Sequence, residues 1–170
     1  MEKLLYDPLE IDDKVMDLSE EMNSIYVAEN GSNIKTPVLC PILQGGAVFF
    51  NNLARGICFD AYVDYLGIRS YKGREQGELD IYKGLDVDVE DKDVWLIDDI
   101  CDTGKTFDFL EEYAYAKGAH KVYKCALLKR HNTPTTLDLY GFEIKDEWVF
   151  GYGMDHPDGL GRLLDGIFVV

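Results

Sequence analysis

One stretch of the sequence, VWLIDDICDTGKTFDFL at residues 94–110, constrains the fold more than any other. It begins with the apolar run VWLI, continues through Asp98, Asp99 and Asp102, and reaches Thr-Gly-Lys-Thr before a pattern with helical spacing. A short apolar run bounded by polar residues is typical of a buried strand. The stretch therefore predicts a strand, a loop and a helix in succession, which is the building unit of α/β proteins with parallel sheets.

The rest of the chain also alternates between helix-like and strand-like segments. Apolar residues at helical spacing predict helices over residues 9–28, 47–57 and 105–117. Apolar runs predict strands at 38–43, 61–68, 94–97 and 120–128, with shorter strands in FEI (142–144) and EWVFGY (147–152) before the terminal GIFVV. This alternation predicts right-handed crossovers and a mostly parallel sheet.

The apolar positions within the predicted helices indicate which face of each helix is buried. In the first helix they are Ile11, Val15, Leu18, Met22 and Ile25. In the second they are Val48, Phe49, Leu53 and Ile57, and in the third Phe107, Leu110 and Ala114. Residues 71–91 are polar, contain three glycines and follow no regular period, so we predict a long loop there. Loops of that length in a domain are usually functional.

Composition limits the class of protein. A chain of 170 residues fits one domain, and it contains no apolar run of the roughly 18 residues that a membrane span needs. The four cysteines form no Cys-x-x-Cys pair, and the first residues lack the pattern of a secretory signal, so we expect a cytoplasmic protein. A net charge of −15 argues against non-specific nucleic-acid binding, but is compatible with divalent metal.

The residues after the predicted strand combine an anion site with carboxylates. Unpaired N–H groups of residues 102–106, with the hydroxyls of Thr103 and Thr106, would form a nest for a phosphate monoester. A Walker A loop is excluded by spacing, because Asp99 stands where that motif needs glycine. Asp98 and Asp99 would repel a phosphate unless they bound sugar hydroxyls or metal. The alternative is that these acids only cap a helix and face water.

This stretch resembles the 5-phosphoribosyl-1-pyrophosphate (PRPP) motif of type I phosphoribosyltransferases. Two hydrophobic residues, two acids and then Asp-Thr-Gly-Lys-Thr form a specific pattern. Further matches point to the hypoxanthine-guanine phosphoribosyltransferase family. They are LQGG (43–46), RSY (69–71), LLKR (127–130), GFEI (141–144) and WVFGYGMD (148–155), followed by Arg162.

The resemblance implies a fold and an activity. The fold would be one α/β domain over residues 1–170, with a twisted, mostly parallel sheet flanked by helices. Its core would span about 35–130, and a small hood would come from the chain termini at about 1–10 and 131–170. The activity would be Mg²⁺-dependent transfer of 5-phosphoribosyl from PRPP to N9 of hypoxanthine or guanine in purine salvage. The family also implies a homodimer or homotetramer.

The resemblance also assigns each matching residue to one part of the substrates. The 5′-phosphate would be bound by Asp102, Thr103, Gly104, Lys105 and Thr106, and the ribose hydroxyls by Asp98 and Asp99. The pyrophosphate would be bound by Leu43, Gln44, Gly45, Gly46 and Arg162. The purine would be bound by Lys129, Trp148, Val149 and Asp155.

Several of these residues would have a specific chemical task. Asp102 would lie beside the purine N7 as general base or acid, Lys129 would reach the 6-oxo group, and Trp148 would stack on the ring. Asp155 would hold a second Mg²⁺, while Asp98 and Asp99 would assist the metal indirectly. Ser70 and Tyr71 would belong to a lid that excludes water. Taken one at a time, Lys129 also fits a solvated lysine, Trp148 a core residue, and Asp155 with Arg162 a surface ion pair.

Four positions depart from the family pattern. Gln44 stands where many relatives carry lysine, and Asp98 where some carry glutamate. Six residues separate Asp155 from Arg162, one more than in familiar members. Trp148 occupies a stacking position that Phe or Tyr often fills, and it also resembles bacterial xanthine-guanine enzymes. The choice among hypoxanthine, guanine and xanthine therefore stays open.

Two other functions are compatible with parts of the pattern. One is a phosphoribosyltransferase that prefers xanthine or a pyrimidine. The other is a PRPP-sensing regulator on the same fold that binds nucleic acid. The second would need a basic face, and 17 Lys and Arg against 32 Asp and Glu argue against it.

Overall fold

A computed structural model describes residues 2–30, 35–70 and 79–170. The helices are α1 (Pro8–Asn30), α2 (Gly46–Leu53) and α3 (Lys105–Ala116), and a 3₁₀ turn at Ala54–Gly56 follows α2. The strands are β1 (Lys3–Tyr6), β2 (Val38–Leu43), β3 (Tyr62–Val63), β4 (Leu66–Ser70), β5 (Leu79–Lys83), β6 (Asp93–Cys101), β7 (Lys121–Arg130), β8 (Leu139–Ile144), β9 (Val149–Phe150) and β10 (Ile167–Val169). Within the described ranges, no helix combines the length and apolar character that crossing a membrane requires.

The main sheet has the strand order β5-β4-β2-β6-β7-β8, and β3 pairs with the first part of β2. All pairs from β4 to β8 are parallel, and only β5 runs antiparallel to its neighbour β4. Because the parallel strands end at the same edge, the loops that follow β2, β6 and β7 meet there. The predicted α/β fold with a mostly parallel sheet is confirmed.

Helices cover the sheet on both faces. On one face, α1 and α2 pack through Ile11, Leu18 and Phe49, which are almost fully buried. On the other face, α3 packs through Phe107, Leu110 and Ala114, as its spacing predicted. Burial of each such apolar side chain contributes roughly 1.5–3 kcal/mol, so the core between the helices and β6 fixes that strand firmly.

A second, antiparallel sheet of order β1-β10-β9 joins distant parts of the chain. Lys3 pairs with Val169 and Phe168 with Phe150, so a strand near one end of the sequence completes a sheet with strands near the other. We call this sheet, together with residues 145–148 before β9 and the loop from Gly151 onwards, the hood. It stands opposite the edge at which the parallel strands end.

Several predicted boundaries were wrong. α2 ends at Leu53 rather than at residue 57, and Val48 is exposed while Phe50 is buried instead. The predicted strand 61–68 is divided into β3 and β4, because Asp64 between them turns inward and accepts hydrogen bonds from the N–H groups of Asp86 and Val87.

Two errors concern how far strands extend. Residues 79–83, predicted as part of a loop, form β5 because they pair with β4. β6 was predicted to end at residue 97, but it continues to Cys101 because β7 pairs with it as far as Lys129. Strands and helices also alternate less regularly than predicted, since residues 131–138 join the parallel strands β7 and β8 without a helix.

Candidate active site

A cavity of about 760 Å³ lies where β2, β6 and β7 end, between the sheet edge and the hood. The predicted site residues that line it are Leu43, Gln44, Gly45, Asp98, Asp99, Asp102, Thr106, Trp148, Val149, Asp155 and Arg162. Residues from distant parts of the sequence therefore converge on one space. Such a cavity at the carboxyl edge of a parallel sheet is the usual ligand site of α/β proteins.

Two adjacent carboxylates form the floor of the cavity. Asp98 and Asp99 belong to the last part of β6, and Asp99 is only 7% exposed. The Asp98 Oδ1 accepts a hydrogen bond of 2.9 Å from the Asp99 N–H. Burial, together with the charge of Asp99, raises the pKa of Asp98 well above its usual range. Burial also raises the pKa of Asp99, although Arg162 opposes that rise. The floor thus favours hydroxyl donors or a cation.

The loop after β2 lies directly against these carboxylates. A Cβ atom on Gly45 would come within 1.7 Å of Asp99 Oδ2, and one on Gly46 within 3.0 Å of Asp98 Oδ1. Any other residue at position 45 would displace either the loop or the acid. The peptide bond between Leu43 and Gln44 is cis. Glycine here therefore brings the backbone of the predicted pyrophosphate loop close to the predicted ribose acids.

Residues 102–106, which are predicted to bind the 5′-phosphate and are called the phosphate loop below, turn sharply into α3. Gly104 has φ +82°, which glycine adopts without strain, and it occupies the N-cap position of the helix. The segment after β7 supports this turn, because a Cβ on Gly104 would lie 1.7 Å from Thr135 Oγ1. The Thr135 hydroxyl donates a hydrogen bond of 3.0 Å to Asp108 in the first turn of α3. These contacts hold the N-terminus of α3 in place, and Thr106 in its first turn lines the cavity.

Asp102, the predicted general base, lies at the start of that loop and lines the cavity. Its side chain is 60% exposed, and its Oδ1 accepts a hydrogen bond of 2.5 Å from Arg130 Nε. Arg130 is the last residue of β7 and also lines the cavity. The contact between Asp102 and Arg130 was not predicted, although LLKR places Arg130 at the carboxyl end of a strand.

The hood supplies the opposite wall. Trp148 is 53% exposed and its Nε1 donates a hydrogen bond of 3.3 Å to the Asp155 carbonyl. Val149, beside it in β9, is buried. The Arg162 guanidinium lies 3.1 Å from the Asp155 carboxylate and donates to the Gly153 carbonyl at 2.6 Å. An exposed aromatic face therefore stands across the cavity from the carboxylate floor.

Some predicted residues do not line the cavity. Lys129 Nζ instead lies 4.9 Å from the centre of the exposed Tyr140 ring. Thr103 and Lys105 belong to the phosphate loop but are not in the cavity wall; the Lys105 N–H points to Thr103 Oγ1 at 3.4 Å. Of the two predicted lid residues, Ser70 is the last residue of β4, and Tyr71 lies outside the described residues.

The β4–β5 hairpin supplies cavity residues that the sequence did not reveal. They include Arg69 and Tyr82, which lie on neighbouring strands at the cavity rim. Arg69 forms hydrogen bonds of 2.9 and 2.7 Å with Asp80 of β5. Arg69 belongs to the RSY segment that matched the family pattern, but neither Arg69 nor Tyr82 was assigned to the site, because residues 79–83 were predicted as loop.

The acidic floor fits a metal that the substrate shares. Within residues 2–30, 35–70 and 79–170, no cluster of three or more His, Cys, Asp or Glu side chains could hold a metal by itself. Mg²⁺ commonly takes one or two carboxylates and completes its shell with substrate oxygens and water. The adjacent pair of half-buried Asp98 and buried Asp99 fits this pattern, whereas the Asp155 carboxylate is already paired with Arg162.

Comparisons with known proteins agree with this geometry. The family described as "Phosphoribosyl transferase domain" matches residues 6–157. The chain is 32% identical over 173 residues to the hypoxanthine-guanine phosphoribosyltransferase of Aquifex aeolicus, covering 99% of this chain and 94% of that protein. It is 31% identical over 163 residues to the enzyme of that name from Bacillus subtilis, covering 93% and 87%.

The fold is similar to a solved structure as well. A hypoxanthine-guanine phosphoribosyltransferase from Bacillus anthracis matches with a TM-score of 0.86 and 28% identity, covering 98% of this chain and 96% of that one. The similarity thus extends over the sheet, the phosphate loop and the hood together. The chain belongs to the type I phosphoribosyltransferases, in the hypoxanthine-guanine phosphoribosyltransferase family.

Proposed function

We propose that this protein transfers 5-phosphoribosyl from PRPP to N9 of a 6-oxopurine, hypoxanthine or guanine, and so forms IMP or GMP and pyrophosphate in purine salvage. The observation that carries the proposal is one cavity with three chemically distinct walls. These are the helix N-terminus behind residues 102–106, the carboxylate pair Asp98 and Asp99, and the exposed ring of Trp148. Phosphate, ribose and purine match these walls in the order in which they are linked in the product.

The PRPP half of the site is proposed to bind by charge and hydrogen bonds. Backbone N–H groups at the start of α3, with the Thr103 and Thr106 hydroxyls, hold the 5′-phosphate. Asp98 and Asp99 accept hydrogen bonds from the ribose hydroxyls and supply negative charge for Mg²⁺. When bound, the metal neutralises charge on the pyrophosphate group.

The pyrophosphate is proposed to leave through the side formed by the loop after β2 and the hood. Leu43, Gln44 and Gly45 bring backbone groups to the floor, and Arg162 adds the cation on that side. Gln44 adds no charge of its own. Neutralising the leaving group lowers the barrier because negative charge grows on it in the transition state.

The purine is proposed to stack on Trp148, with its edge towards the backbone of Val149 and Asp155. Asp102 then takes the proton from N7 as N9 attacks the anomeric carbon and pyrophosphate leaves, since it lines the same cavity as Trp148. Lys129 would have to turn away from Tyr140 to reach the 6-oxo group. Ser70 and Tyr71 would belong to a lid that excludes water and so prevents hydrolysis of PRPP.

The setting of the enzyme is part of the proposal. All four cysteines, Cys40, Cys58, Cys101 and Cys125, are free thiols, which fits a reducing cytoplasm. A homodimer or homotetramer remains a prediction from the family. The net charge of −15 leaves little support for a regulator that binds nucleic acid.

A base panel tests the proposal. The protein is mixed with PRPP, Mg²⁺ and one of hypoxanthine, guanine, xanthine, adenine or uracil, and nucleotides are separated by chromatography. We expect product from hypoxanthine or guanine and none from adenine or uracil. Product from xanthine alone would favour the xanthine enzyme, and no product from any 6-oxopurine would refute the proposed function.

A further inference from the structure

Arg130 connects three parts of the active site. Its Nε donates to Asp102 Oδ1 at 2.5 Å. Its Nη1 donates to the carbonyls of Lys145 and Glu147 at 2.5 and 2.9 Å. The guanidinium thus lies between the phosphate loop and the backbone that leads directly into Trp148.

The side chains of Arg130 and Asp102 differ in their exposure to solvent. The Arg130 side chain is 16% exposed, whereas that of Asp102 is 60% exposed. Arg130 is therefore largely held by the protein, and Asp102 is held by Arg130 on the side away from solvent. Oδ1 of Asp102 accepts the hydrogen bond from Arg130, and among the described residues no hydrogen bond reaches Oδ2, which is left for a ligand in the cavity.

We propose that Arg130 is a positioning residue, which fixes the Asp102 carboxylate relative to the purine wall of the hood. This inference rests on the proposed function, because it assigns Arg130 to the same transfer reaction. Arg130 acts through Asp102 and through the backbone that leads into Trp148, and does not itself accept or donate the transferred proton.

The chemistry of arginine suits this task better than that of lysine. A guanidinium is planar and presents donors in fixed directions, so one side chain holds a carboxylate and two carbonyls at set angles. A carboxylate that is free to rotate spends little time in the orientation needed for proton transfer. Misplacement of a reacting group by about 1 Å costs roughly 100-fold in rate. Holding Asp102 is therefore expected to affect turnover more than substrate binding.

A purely structural role of Arg130 would give different results. If Arg130 only tied residues 145–147 to the sheet edge, its loss would loosen the hood. The KM for the purine would then rise and the protein would unfold at lower temperature, whether or not Asp102 were present. Whether the effect of removing Arg130 depends on the presence of Asp102 therefore distinguishes a positioning role from a purely structural one.

A double-mutant cycle tests this directly. R130Q, D102N and the double variant are compared in steady-state kinetics with hypoxanthine or guanine. PRPP binding is measured separately at equilibrium. R55Q serves as a control, because it removes the same charge from an exposed arginine in the turn after α2.

The cycle has a definite expected outcome. We expect R130Q to lower kcat by about 10- to 100-fold, with PRPP affinity changed by less than about threefold. When R130Q is added to a protein that already carries D102N, we expect almost no further loss. R55Q should match wild type.

Several results would overturn the inference. One is an equal loss from R130Q with and without Asp102, and another is an unchanged kcat. If R130Q does not fold, R130K replaces it in the cycle, and full activity of R130K would count against the need for a guanidinium. An inactive wild-type enzyme would refute the proposed function as well, whereas active wild type with additive losses would refute only the role of Arg130.

Discussion

At the scale of single residues, Asp102 is the group on which the proposed chemistry depends. We expect D102N to lower kcat by at least about 100-fold, because general base catalysis typically contributes 10²–10⁴-fold. The affinity for PRPP should change little, since asparagine keeps the size and the backbone of the phosphate loop. Steady-state kinetics measure kcat, and an equilibrium titration measures the affinity for PRPP. An unchanged kcat would remove Asp102 from its proposed role.

Asp98 shows that the cavity floor is arranged for a ligand and not for stability. Burial and the neighbouring Asp99 raise the pKa of Asp98 in the folded protein. The folded state therefore binds a proton more tightly than the unfolded state, so stability falls as the pH rises from the unfolded pKa through the folded one. At neutral pH, where the side chain is ionised in the unfolded state, the Asp98 carboxyl group is therefore destabilising. We expect D98N to raise the free energy of unfolding at pH 7 and to weaken PRPP binding.

Urea unfolding at pH 7 and PRPP titration measure these two effects. D13N is the matched control, because Asp13 is an exposed acid on α1 and its loss should change neither. If D98N were less stable than wild type, its surroundings would have to stabilise the Asp98 carboxylate in the free enzyme, which would contradict this prediction.

The contrast between Asp98 and Arg130 shows what could be predicted for individual residues. The acid pair and Asp102 follow one another in a short stretch with a specific order, so local sequence was enough to identify them. Arg130 is 28 residues from Asp102 in the chain, and their contact depends on the pairing of Cys101 with Lys129 across β6 and β7. The register of that pairing is a property of the folded sheet.

At the scale of elements, the phosphate loop depends on the segment that follows β7. Thr135 is 5% exposed, packs against Gly104 and donates to Asp108. We expect T135V to cost about 1 kcal/mol of stability, because it removes one buried hydrogen bond and keeps the volume. The KM for PRPP should rise several-fold while the KM for the purine stays constant. T136V is the control, because Thr136 is the exposed neighbouring threonine. An equal rise in the KM values for PRPP and for the purine would contradict a local role of Thr135.

The connection from β5 to β6 is held by a buried carboxylate. Asp64 is 6% exposed and accepts hydrogen bonds from Lys83 Nζ and from the N–H groups of Asp86 and Val87. Burial alone would raise the pKa of Asp64, but these hydrogen bonds outweigh it and lower the pKa. The stabilisation is therefore complete above the unfolded pKa of about 3.9 and is lost as the pH falls through the lower folded value.

Replacing Asp64 tests this network. We expect D64N to cost about 1.5–3 kcal/mol at pH 7, the range for hydrogen bonds to a charged group. The difference from wild type should shrink as the pH falls below about 4. D86N is the control, because Asp86 binds the same lysine but is 84% exposed, and it should cost less than about 1 kcal/mol. A difference that did not depend on pH would contradict the assignment.

These elements also show where prediction from sequence failed. β5 is a short, half-buried segment of mixed apolar and polar residues inside a polar stretch with glycines on both sides, so its strand character becomes evident only from its pairing with β4. The last part of β6 contains the acids Asp98 and Asp99, which strands seldom contain, and partners on β7 keep it extended. In both cases, pairing with a neighbouring strand determines a backbone conformation that the local sequence does not determine.

At the scale of the whole molecule, the site exists because the chain brings a hood back over the sheet edge. The pairing of β1 with β10 spans almost the full sequence. Such a contact carries no local signal, and only the resemblance of the motifs to a known family suggested it. The α/β core, in contrast, follows from the alternation of apolar runs and helical stripes. The cavity needs both parts, since its floor belongs to the core and its aromatic wall to the hood.

One cavity joins a proposed phosphate nest, a carboxylate pair and an aromatic wall, and this arrangement is proposed to serve group transfer. The most direct test measures nucleotide and pyrophosphate together in a single reaction with PRPP, Mg²⁺ and hypoxanthine or guanine. Transfer predicts that the two products form in equal amounts and that neither forms at a comparable rate without the base. Pyrophosphate without nucleotide would show hydrolysis of PRPP, and the absence of both products with every 6-oxopurine would contradict the account.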